Sequence, residues 1–452
     1  MDTTEMFAAA LNLPEPWYIE SIEFKEAGNT QDNRGRIKRE AAEKKTVQTA
    51  TDATSEGHTL SGASDKRELH ITVNFYRGSA FPYPQLTEGE EGKPCVICKA
   101  YDTEWHTWRH LNFFQYRCYI HAPIPRVWSD ELKLPPKAVP VPWARTGSGF
   151  TLLFESFVVE LAKTMPMKDV AETVGENDTR LWRVVRYYVD KARAKADYSQ
   201  VNKLGIDETS KRGHNYITVF VNLDTNKVVF VTGGKDQTTV DRFAEDFVKH
   251  NGDCGKVGVV TCDMSLGFQA GISTHFTSAV TIIDKFHIIK HANEAVDEVR
   301  RAEAKENSDL KRTRYVWLHN DDTLSEKQLA KKQELLRKHL KTGRACMMRE
   351  ELQDIYANSA NRQDAEQGLR KLCSWMMRSR LDPMKAVARM IKNHWEDILN
   401  YFDTRFTNAI LEGLNSVIQN IKARARGFRN DEYFTTVIYL VCGEIDLSSM
   451  LS

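Results

Sequence analysis

The order of predicted elements between residues 203 and 290 constrains the fold more than any other feature of the chain. Three strand-like segments, 203–207, 215–223 and 227–234, come before a helical segment at 238–252. The buried strand "VGVVTCDMS", a short helix and the strand "AVTIIDKFH" follow. Three antiparallel strands, a helix, a strand, a helix and a strand are the order of an RNase H-like α/β core. We therefore predict a mixed sheet for this segment.

Two carboxylates stand where strands of this predicted core end. Asp207 ends the first strand, and Asp263 follows the strand "VGVVTC". Adjacent strands that end at one edge of a sheet bring such acids together, where they repel each other unless a divalent cation lies between them. The pair therefore predicts a site for Mg²⁺ or Mn²⁺, and a third acid would be needed to hold a second metal ion.

Glu412 is the candidate for this third acid. It lies in a helical segment at about 404–425 in which polar residues recur every three or four positions, namely Asn408, Glu412, Asn415 and Gln419. Ile410, Leu414, Val417 and Ile421 form the predicted apolar face. Gly413 is costly inside a helix and suggests a close approach by another group. The alternative is a polar stripe that faces water.

The same segment ends in basic residues. Lys422, Arg424 and Arg426 follow the polar stripe and suit a polyanionic substrate such as DNA. Alternatively, these cations only complement the negative end of the helix dipole.

Residues 150–200 have the outline of a helix-turn-helix. The segments "FTLLFESFVVELAKT", "MKDVAETVG" and "DTRLWRVVRYYVDKARAKA" each have helical periodicity, and Gly175 closes the second. Arg180, Arg183 and Arg186 recur at helical spacing in the third segment and would form one face for DNA phosphates or bases. The alternative is a three-helix bundle with solvated arginines.

The N-terminal part combines strands with a cysteine and histidine segment. "WYIESIEFKE" and "RELHITVNFY" alternate like the strands of a half-buried hairpin, and the polar insert 27–66 between them is predicted to be disordered. Residues 124–149 contain many prolines and have few helix or strand signals. Four residues have zinc-like spacing: Cys95, Cys98, Cys118 and His121. Alternatively, His106 and His110 complete the site, or no zinc binds.

Overall composition excludes little. The 63 basic and 62 acidic residues cancel, so net charge identifies no partner. Eight scattered cysteines indicate a reducing compartment. The sequence has no apolar run of about 18 residues and no cationic leader, which predicts a soluble, intracellular protein.

Several motifs in order resemble the transposases of the bacterial ISL-three insertion-sequence family. They are "PWARTGSGFTLLFE", "DTRLWRVVRYYV", "GIDETSKRGHNYITVF", "CDMS", "DKFHIIKHANEAVDEVRRAE", "LKRTRYVWL", "RSRLDPM" and "TNAILEGLNSVIQNIKARARGF". The resemblance runs from about residue 90 to about residue 440. It implies a DDE transposase with Asp207, Asp263 and Glu412 as catalytic acids and a helical domain inserted before the glutamate.

The resemblance has further implications for single residues. "DKFH" is similar to an Asp-x-x-His signature of related families, which implies that Asp284 and His287 orient DNA or the metal ions; both could equally serve the core. Asn408 and Asn415 would support the site. Ser129 and Leu132 stand where the family usually has its second cysteine pair, which weakens the zinc prediction.

The resemblance implies Mg-dependent strand cleavage and strand transfer at the inverted repeats of an insertion sequence. The expected partners are double-stranded DNA at the element ends and target and, on that DNA, at least a second copy of the chain. We expect a bacterial cytoplasmic protein associated with the nucleoid and no membrane contact. The alternatives are a structure-specific nuclease with the same core and a non-catalytic DNA-binding protein.

The predicted domains follow from these segments. An N-terminal β-hairpin and zinc module occupies 1–146, and the helix-turn-helix occupies 147–200. The catalytic core occupies 201–290 and 401–452, with an α-helical insertion at 291–400.

Overall fold

The computed structural model describes residues 7–8, 11–26, 67–84, 96–129, 133–212, 215–406 and 409–447. The predicted disordered insert, Cys95 and Asn408 therefore lie outside the described residues. The described chain forms two compact units. The first comprises the described residues up to Thr164 together with Val170–Val184, and the second comprises Met165–Asp169 and Val185–Leu447.

A mixed six-stranded sheet forms most of the first unit. Its strands are β1 (Trp17–Glu26), β2 (Arg67–Phe75), β3 (Ala80–Pro82), β4 (Ile97–Phe113), β5 (Tyr116–Ser129) and β6 (Leu134–Ala138). Their order is β1-β2-β5-β4-β3, with β6 paired to β5. β1 and β2 are antiparallel, which confirms the predicted strands and their pairing. Aromatic and aliphatic side chains, including Trp17, Ile71, Trp108 and Trp143, form the core beside this sheet.

The expectation that the proline-containing segment 124–149 lacks strands is wrong. β5 runs through Pro123 and Pro125 to Ser129, and β6 follows it. Proline cannot donate a backbone hydrogen bond, so it is usually excluded from central strands. Here the pairing of β5 with β2 stops at His121, and its pairing with β6 starts at Arg126. Both prolines lie in the interval between these partners.

Three helices follow in the segment predicted as a helix-turn-helix. They are α1 (Leu152–Thr164), α2 (Met167–Val174) and α3 (Asp178–Ala194). Gly175 ends α2 with a φ of 70°, a backbone conformation that glycine adopts without steric cost. The predicted sequence of two shorter helices, a glycine turn and a longer helix is confirmed.

The second unit contains a mixed five-stranded sheet. Its strands are β7 (Lys203–Arg212), β8 (Asn215–Asn222), β9 (Lys227–Gly233), β10 (Val259–Cys262) and β11 (Val280–Ile283), in the order β11-β10-β7-β8-β9. β7, β8 and β9 are antiparallel neighbours, whereas β10 is parallel to β7 and β11. α4 (Gln237–Lys249) and α5 (Leu266–His275) connect the strands. The predicted element order is confirmed.

A helical segment separates β11 from the last two helices. It comprises α6 (Lys285–Glu303), α7 (Arg314–Leu318), α8 (Glu326–Leu336), α9 (Lys341–Asn358), α10 (Arg362–Arg378), α11 (Asp382–Asn393) and α12 (Trp395–Thr404). α13 (Ala409–Arg424) and α14 (Asp431–Cys442) then pack on β7 and β9. The helical character predicted for 291–400 is confirmed. In the described residues, every helix is too short or too polar to span a membrane.

Candidate functional site

Three aspartates lie at one edge of the second sheet, and we call Asp207, Asp263 and Asp284 the acid edge. The last parallel pair of β10 and β7 is Thr261 with Gly205, so two residues further along Asp263 is level with Asp207. Cys262 pairs with Ile283, so Asp284 is level with Asp263 on the other side. Register alone therefore brings three acids from adjacent strands into one row.

Asp207 does not end its strand, contrary to the sequence prediction. β7 continues to Arg212 because β8 pairs with it well beyond this point, up to Asn215 opposite Arg212. The parallel neighbour β10 stops at Cys262. Asp207 is therefore inside a long antiparallel hairpin but at the end of the parallel part of the sheet.

Burial and like charge act together on Asp207. Only 8% of this residue is exposed, and burial raises the pKa of its carboxyl group to about 6. The charges of Asp263 and Asp284 also raise this pKa, whereas the backbone N–H of Glu208 and the ring of His287 oppose the rise. His287, in the first turn of α6, has its Nε2 atom 4.0 Å from Oδ1 of Asp207. A cation bound here would relieve the charge repulsion.

The α13 helix contacts β7 along a regular ladder. Leu411 lies over Gly205, where an added Cβ atom would come within 2.5 Å of Leu411 Cδ1. Asn415 Nδ2 donates a hydrogen bond of 2.7 Å to Asp207 Oδ2. Gln419 Nε2 donates one of 2.6 Å to Thr209 Oγ1. Four helical residues advance ~6 Å and two strand residues advance ~6.6 Å, so helix and strand stay in register.

This contact corrects two predictions about α13. The helix buries Leu411, Ile418 and Ile421, whereas Val417, assigned to the apolar face, is 39% exposed. Asn415 and Gln419 face β7 rather than water, because that face of the strand carries Gly205, Asp207 and Thr209. The close approach inferred at Gly413 is also wrong, since a Cβ atom there would meet nothing within 4 Å. The glycine that permits close packing is Gly205.

Glu412 is exposed beside the acid edge. Partial burial raises the pKa of its carboxyl group, and the charge of Asp284 adds to this, against His287 and Lys285. Glu208 is the other acid near this edge. Successive residues of a strand point to opposite faces, and Asp207 faces α13, so Glu208 points away from α13. Burial raises the pKa of Glu208, Lys235 opposes the rise and Asp263 adds to it.

The acid edge fits a magnesium ion that shares its ligands with a substrate. Within the part of the chain that the structure describes, no three His, Cys, Asp or Glu side chains are close enough together to hold a metal ion by themselves. Mg²⁺ usually takes one or two carboxylates and completes its shell with water and phosphate oxygens. Asp207 and Asp263, level on adjacent strands, match the first part of this requirement.

Three of the four predicted zinc ligands, Cys98, Cys118 and His121, lie in the described residues, and they do not come together. Cys98 lies at the start of β4, two residues before Ala100, which pairs with Val127. Cys118 pairs with His110, so nine positions of β5 (127 − 118) separate the two registers, or ~30 Å. The β4–β5 ribbon therefore keeps Cys98 far from Cys118 and His121. The sequence pattern was misleading because a long hairpin separates residues that a compact loop would bring together.

Burial acts on the ionisation of Cys118 and His121. Burial raises the pKa of the Cys118 thiol to about 12 and lowers the pKa of His121 to about 4. His121 bonds to His70 at 2.7 Å and to Thr107 at 2.9 Å. The alternative ligands His106 and His110 are also separated, because they lie four positions apart on β4, or ~13 Å. His110 Nδ1 is 2.9 Å from Thr151 Oγ1, and His106 Nε2 is 3.6 Å from Glu104 Oε1.

The predicted DNA-contacting arginines of α3 are all exposed, but they differ in their contacts. Arg180 pairs with Glu176 at 2.6 Å and lies over the ring of Phe150. Arg186 pairs with Glu432 at 2.6 Å and with Asp190 at 3.3 Å. Arg183 makes no ion pair within the described residues, so it is the most available of the three for a phosphate.

The basic residues at the end of α13 also differ in their contacts and exposure. Lys422 Nζ donates a hydrogen bond of 2.8 Å to the carbonyl oxygen of Ser210 and so helps to hold α13 on β7. Arg424 and Arg426 are exposed, and Arg426 has a φ of 53° in the turn after the helix. Lys422 therefore has a packing role that its sequence context did not reveal.

Sequence reasoning missed Gly205 and Thr209. Gly205, Asp207 and Thr209 occupy alternate positions and so share one face of β7. In a strand that is buried on both faces, these positions would usually be apolar. This small or polar alternation was a signal that a polar helix face would pack there.

Comparison with known proteins gives consistent matches. Residues 204–438 match a protein family described as a transposase, and residues 139–189 match one described as the helix-turn-helix domain of transposase family ISL3. The chain is 26% identical over 361 residues to the transposase for insertion sequence element IS1557 of Mycobacterium tuberculosis, covering 72% of this chain and 79% of that protein. It is 26% identical over 359 residues to the transposase for insertion sequence element IS1001 of Bordetella parapertussis, covering 75% and 86%.

Proposed function

This chain belongs to the ISL3 family of DDE-type DNA transposases, and we propose that Asp207, Asp263 and Glu412 are its catalytic acids. The observation that carries this proposal is the row of acids at one sheet edge, with α13 fixed on β7 beside it. We further propose that the sheet order corresponds to an RNase H-like core, with domain boundaries near residues 147, 201, 291 and 401.

The proposed reaction cuts DNA at the ends of the element and joins the freed 3′ ends to a target. Asp207 and Asp263 would hold Mg²⁺, which polarises the phosphodiester and lowers the pKa of the attacking water or hydroxyl. Glu412 would complete the site once DNA phosphate oxygens are present. Asp284 and His287 would orient the acids and the DNA, and Asn415 would fix the Asp207 carboxylate.

The helix-turn-helix would bind the terminal inverted repeats, with Arg183 as the leading candidate for a phosphate contact and Arg180 and Arg186 beside it. Arg424 and Arg426 would contact DNA near the acid edge. Joining two ends of one element in a single complex implies at least two copies of the chain on DNA.

The direct test of this function uses labelled duplexes that carry the end of the element and the purified full chain with Mg²⁺. We expect cleavage at the end sequence and transfer of the labelled strand into a target plasmid, both abolished by EDTA. A duplex of the same length with a scrambled end is the control. Equal cleavage of both duplexes would indicate a structure-specific nuclease, and binding without cleavage would indicate a non-catalytic protein; either result overturns the proposal.

Asn415 offers a test of the support for Asp207. Asn415→Ala removes the hydrogen bond to Asp207 Oδ2, and loss of such a partner typically weakens metal binding by about 10- to 100-fold. We expect this loss in Mn²⁺ affinity measured by isothermal titration calorimetry. Asn420→Ala removes an exposed asparagine of the same helix and should leave the affinity unchanged. Equal Mn²⁺ affinity in Asn415→Ala and the parent would contradict a positioning role.

A further inference from the structure

The α10 and α11 helices carry an excess of positive charge. Residues 362–393 contain eight basic residues (Arg362, Arg370, Lys371, Arg378, Arg380, Lys385, Arg389 and Lys392) and three acidic ones (Asp364, Glu366 and Asp382), a formal charge of 8 − 3 = +5. The whole chain has a formal charge of +1, so the remaining residues sum to −4. Residues 326–345 have the same formal charge, with seven basic and two acidic residues (7 − 2 = +5), so the positive charge of the helical segment lies in two stretches.

Ion pairs neutralise only part of this charge. Arg362 pairs with Glu396 and Asp403, Arg370 with Glu366, and Lys385 with Asp382. The other five are exposed and make no ion pair with any carboxylate in the described ranges. We call these five the basic surface: Lys371, Arg378, Arg380, Arg389 and Lys392.

Helix geometry keeps these five side chains on the outside of the pair. Lys371 and Arg378 are seven residues apart, two turns on one side of α10, whereas Leu372, Cys373 and Met376 are buried. Arg389 and Lys392 lie three residues apart on α11, outside its buried Met384, Val387 and Ile391. Arg380 lies in the short turn between the helices with a φ of 61°.

The helix pair is connected to the catalytic region. His394, which follows α11, has its Nδ1 atom 3.1 Å from Gln269 Nε2 on α5, the helix that begins just after Asp263. Asn400 Nδ2 on α12 donates a hydrogen bond of 2.9 Å to the carbonyl oxygen of Thr281 on β11. The end of the basic helix α11 is therefore held beside the strands that carry the acid edge.

The other basic stretch, 326–345, differs in its contacts. Lys331 pairs with Glu334, Lys338 with Asp309, and buried Lys332 with Asp321 and Glu350. Three of the seven cations of this stretch are thus paired, and within the described residues the hydrogen bonds and ion pairs that lead out of it reach Glu303, Asp309, Asp321 and Glu350 rather than the strands of the acid edge. An unneutralised array of cations on solvent-facing helix sides attracts a polyanion, and each phosphate neutralised releases condensed counterions.

We propose that the basic surface binds the sugar–phosphate backbone of the DNA that is cut, as a second DNA contact separate from the helix-turn-helix. The proposal rests on the DNA substrate proposed above. It assigns no base recognition to α10 and α11, because five unpaired cations fit a backbone contact that does not depend on sequence.

The test measures how DNA affinity depends on salt. Lys371→Gln/Arg389→Gln removes one charge from each helix of the basic surface, and Lys331→Gln/Lys338→Gln removes two paired charges nearby. Affinity for an element-end duplex is measured by fluorescence anisotropy between about 50 and 300 mM KCl, a range over which phosphate contacts are strongly weakened. Circular dichroism melting should show no change for the basic-surface variant, since both residues are exposed.

We expect the slope of log K against log [KCl] to fall by about 2 in the basic-surface variant, or ~0.9 per lost phosphate contact, with affinity reduced on the order of tenfold. The slope of the control variant should match the parent. The inference is overturned if both variants behave alike or if neither changes the slope. It is also overturned if the basic-surface variant changes self-association in sedimentation without DNA while its salt slope stays that of the parent, which would indicate an acidic surface of a second copy as the partner.

A catalytically inactive background separates this inference from the proposed chemistry. In Asp207→Asn protein the slope difference should persist, because backbone binding does not need the acid edge. Absence of cleavage in the parent would therefore leave this measurement interpretable. Normal cleavage with an unchanged slope would refute only the basic surface.

Discussion

Asp207→Asn and Asp263→Asn are each expected to lower Mg²⁺-dependent cleavage of element-end DNA by at least about 10³-fold, while DNA binding is retained. Each change replaces one carboxylate of the acid edge with a neutral amide of the same size. The amide cannot balance the charge of a divalent cation, so the ion would be lost or misplaced. Single-turnover cleavage and anisotropy binding measured on the same preparations separate the two effects.

Asp224→Asn is a matched control for these variants. Asp224 follows β8 at the opposite end of the same sheet and pairs with Lys203 at 2.7 Å. Its replacement should leave cleavage within a few fold of the parent. Glu412→Gln tests the third acid separately, and we expect it to lose cleavage as well. Cleavage at the parental rate in Asp207→Asn would refute the assignment of the acid edge.

The same Asp207→Asn change should make the metal-free protein more stable at neutral pH. The pKa of Asp207 is about 6 in the folded protein, against 3.8 ordinarily. Between these values the folded state holds more protons than the unfolded state, so stability falls as the pH rises from about 4 to about 6. Above pH 6 the full cost of the charge is present, about 3 kcal/mol for a shift of this size.

Urea unfolding in EDTA, followed by tryptophan fluorescence, measures this difference. We expect Asp207→Asn to raise the free energy of unfolding by up to about 3 kcal/mol at pH 7.5 and by much less near pH 4. Saturating Mg²⁺ should reduce the difference, because it stabilises only the protein that binds it. A variant no more stable than the parent at pH 7.5, or a gain independent of pH, would contradict the burial of an ionised carboxylate at this position.

The sequence was most informative where local pattern and fold agree. The alternation of β7, β8 and β9 and the apolar run of β10 predicted the order of these elements along the chain, and the positions of Asp207 and Asp263 predicted that acids would meet at one edge. In both cases, short-range patterns determine which face or end of an element a residue occupies. Once these strands are adjacent, the parallel pairing of β10 with β7 and β11 determines which residues lie level with each other.

The sequence was misleading where the position of a side chain depends on contacts with residues distant in the chain. Amphipathic analysis of α13 predicted that Val417 lies on the core-facing side, but Val417 is 39% exposed. The polar residues Asn415 and Gln419 pack on β7 instead, where they contact Asp207 and Thr209. The zinc-like spacing of Cys98 and Cys118 likewise says nothing about a hairpin that keeps them apart. Such features depend on long-range pairing that no local window contains.

The hydrogen bond between Asn415 and Asp207 joins residues 208 positions apart in the chain. During synthesis, β7 emerges long before α13, and the contact waits until a further 208 residues have been made. The helices of the helix-turn-helix are complete much earlier, at residue 194. A growing chain would thus contain its helix-turn-helix segment before Asn415 is available to contact Asp207.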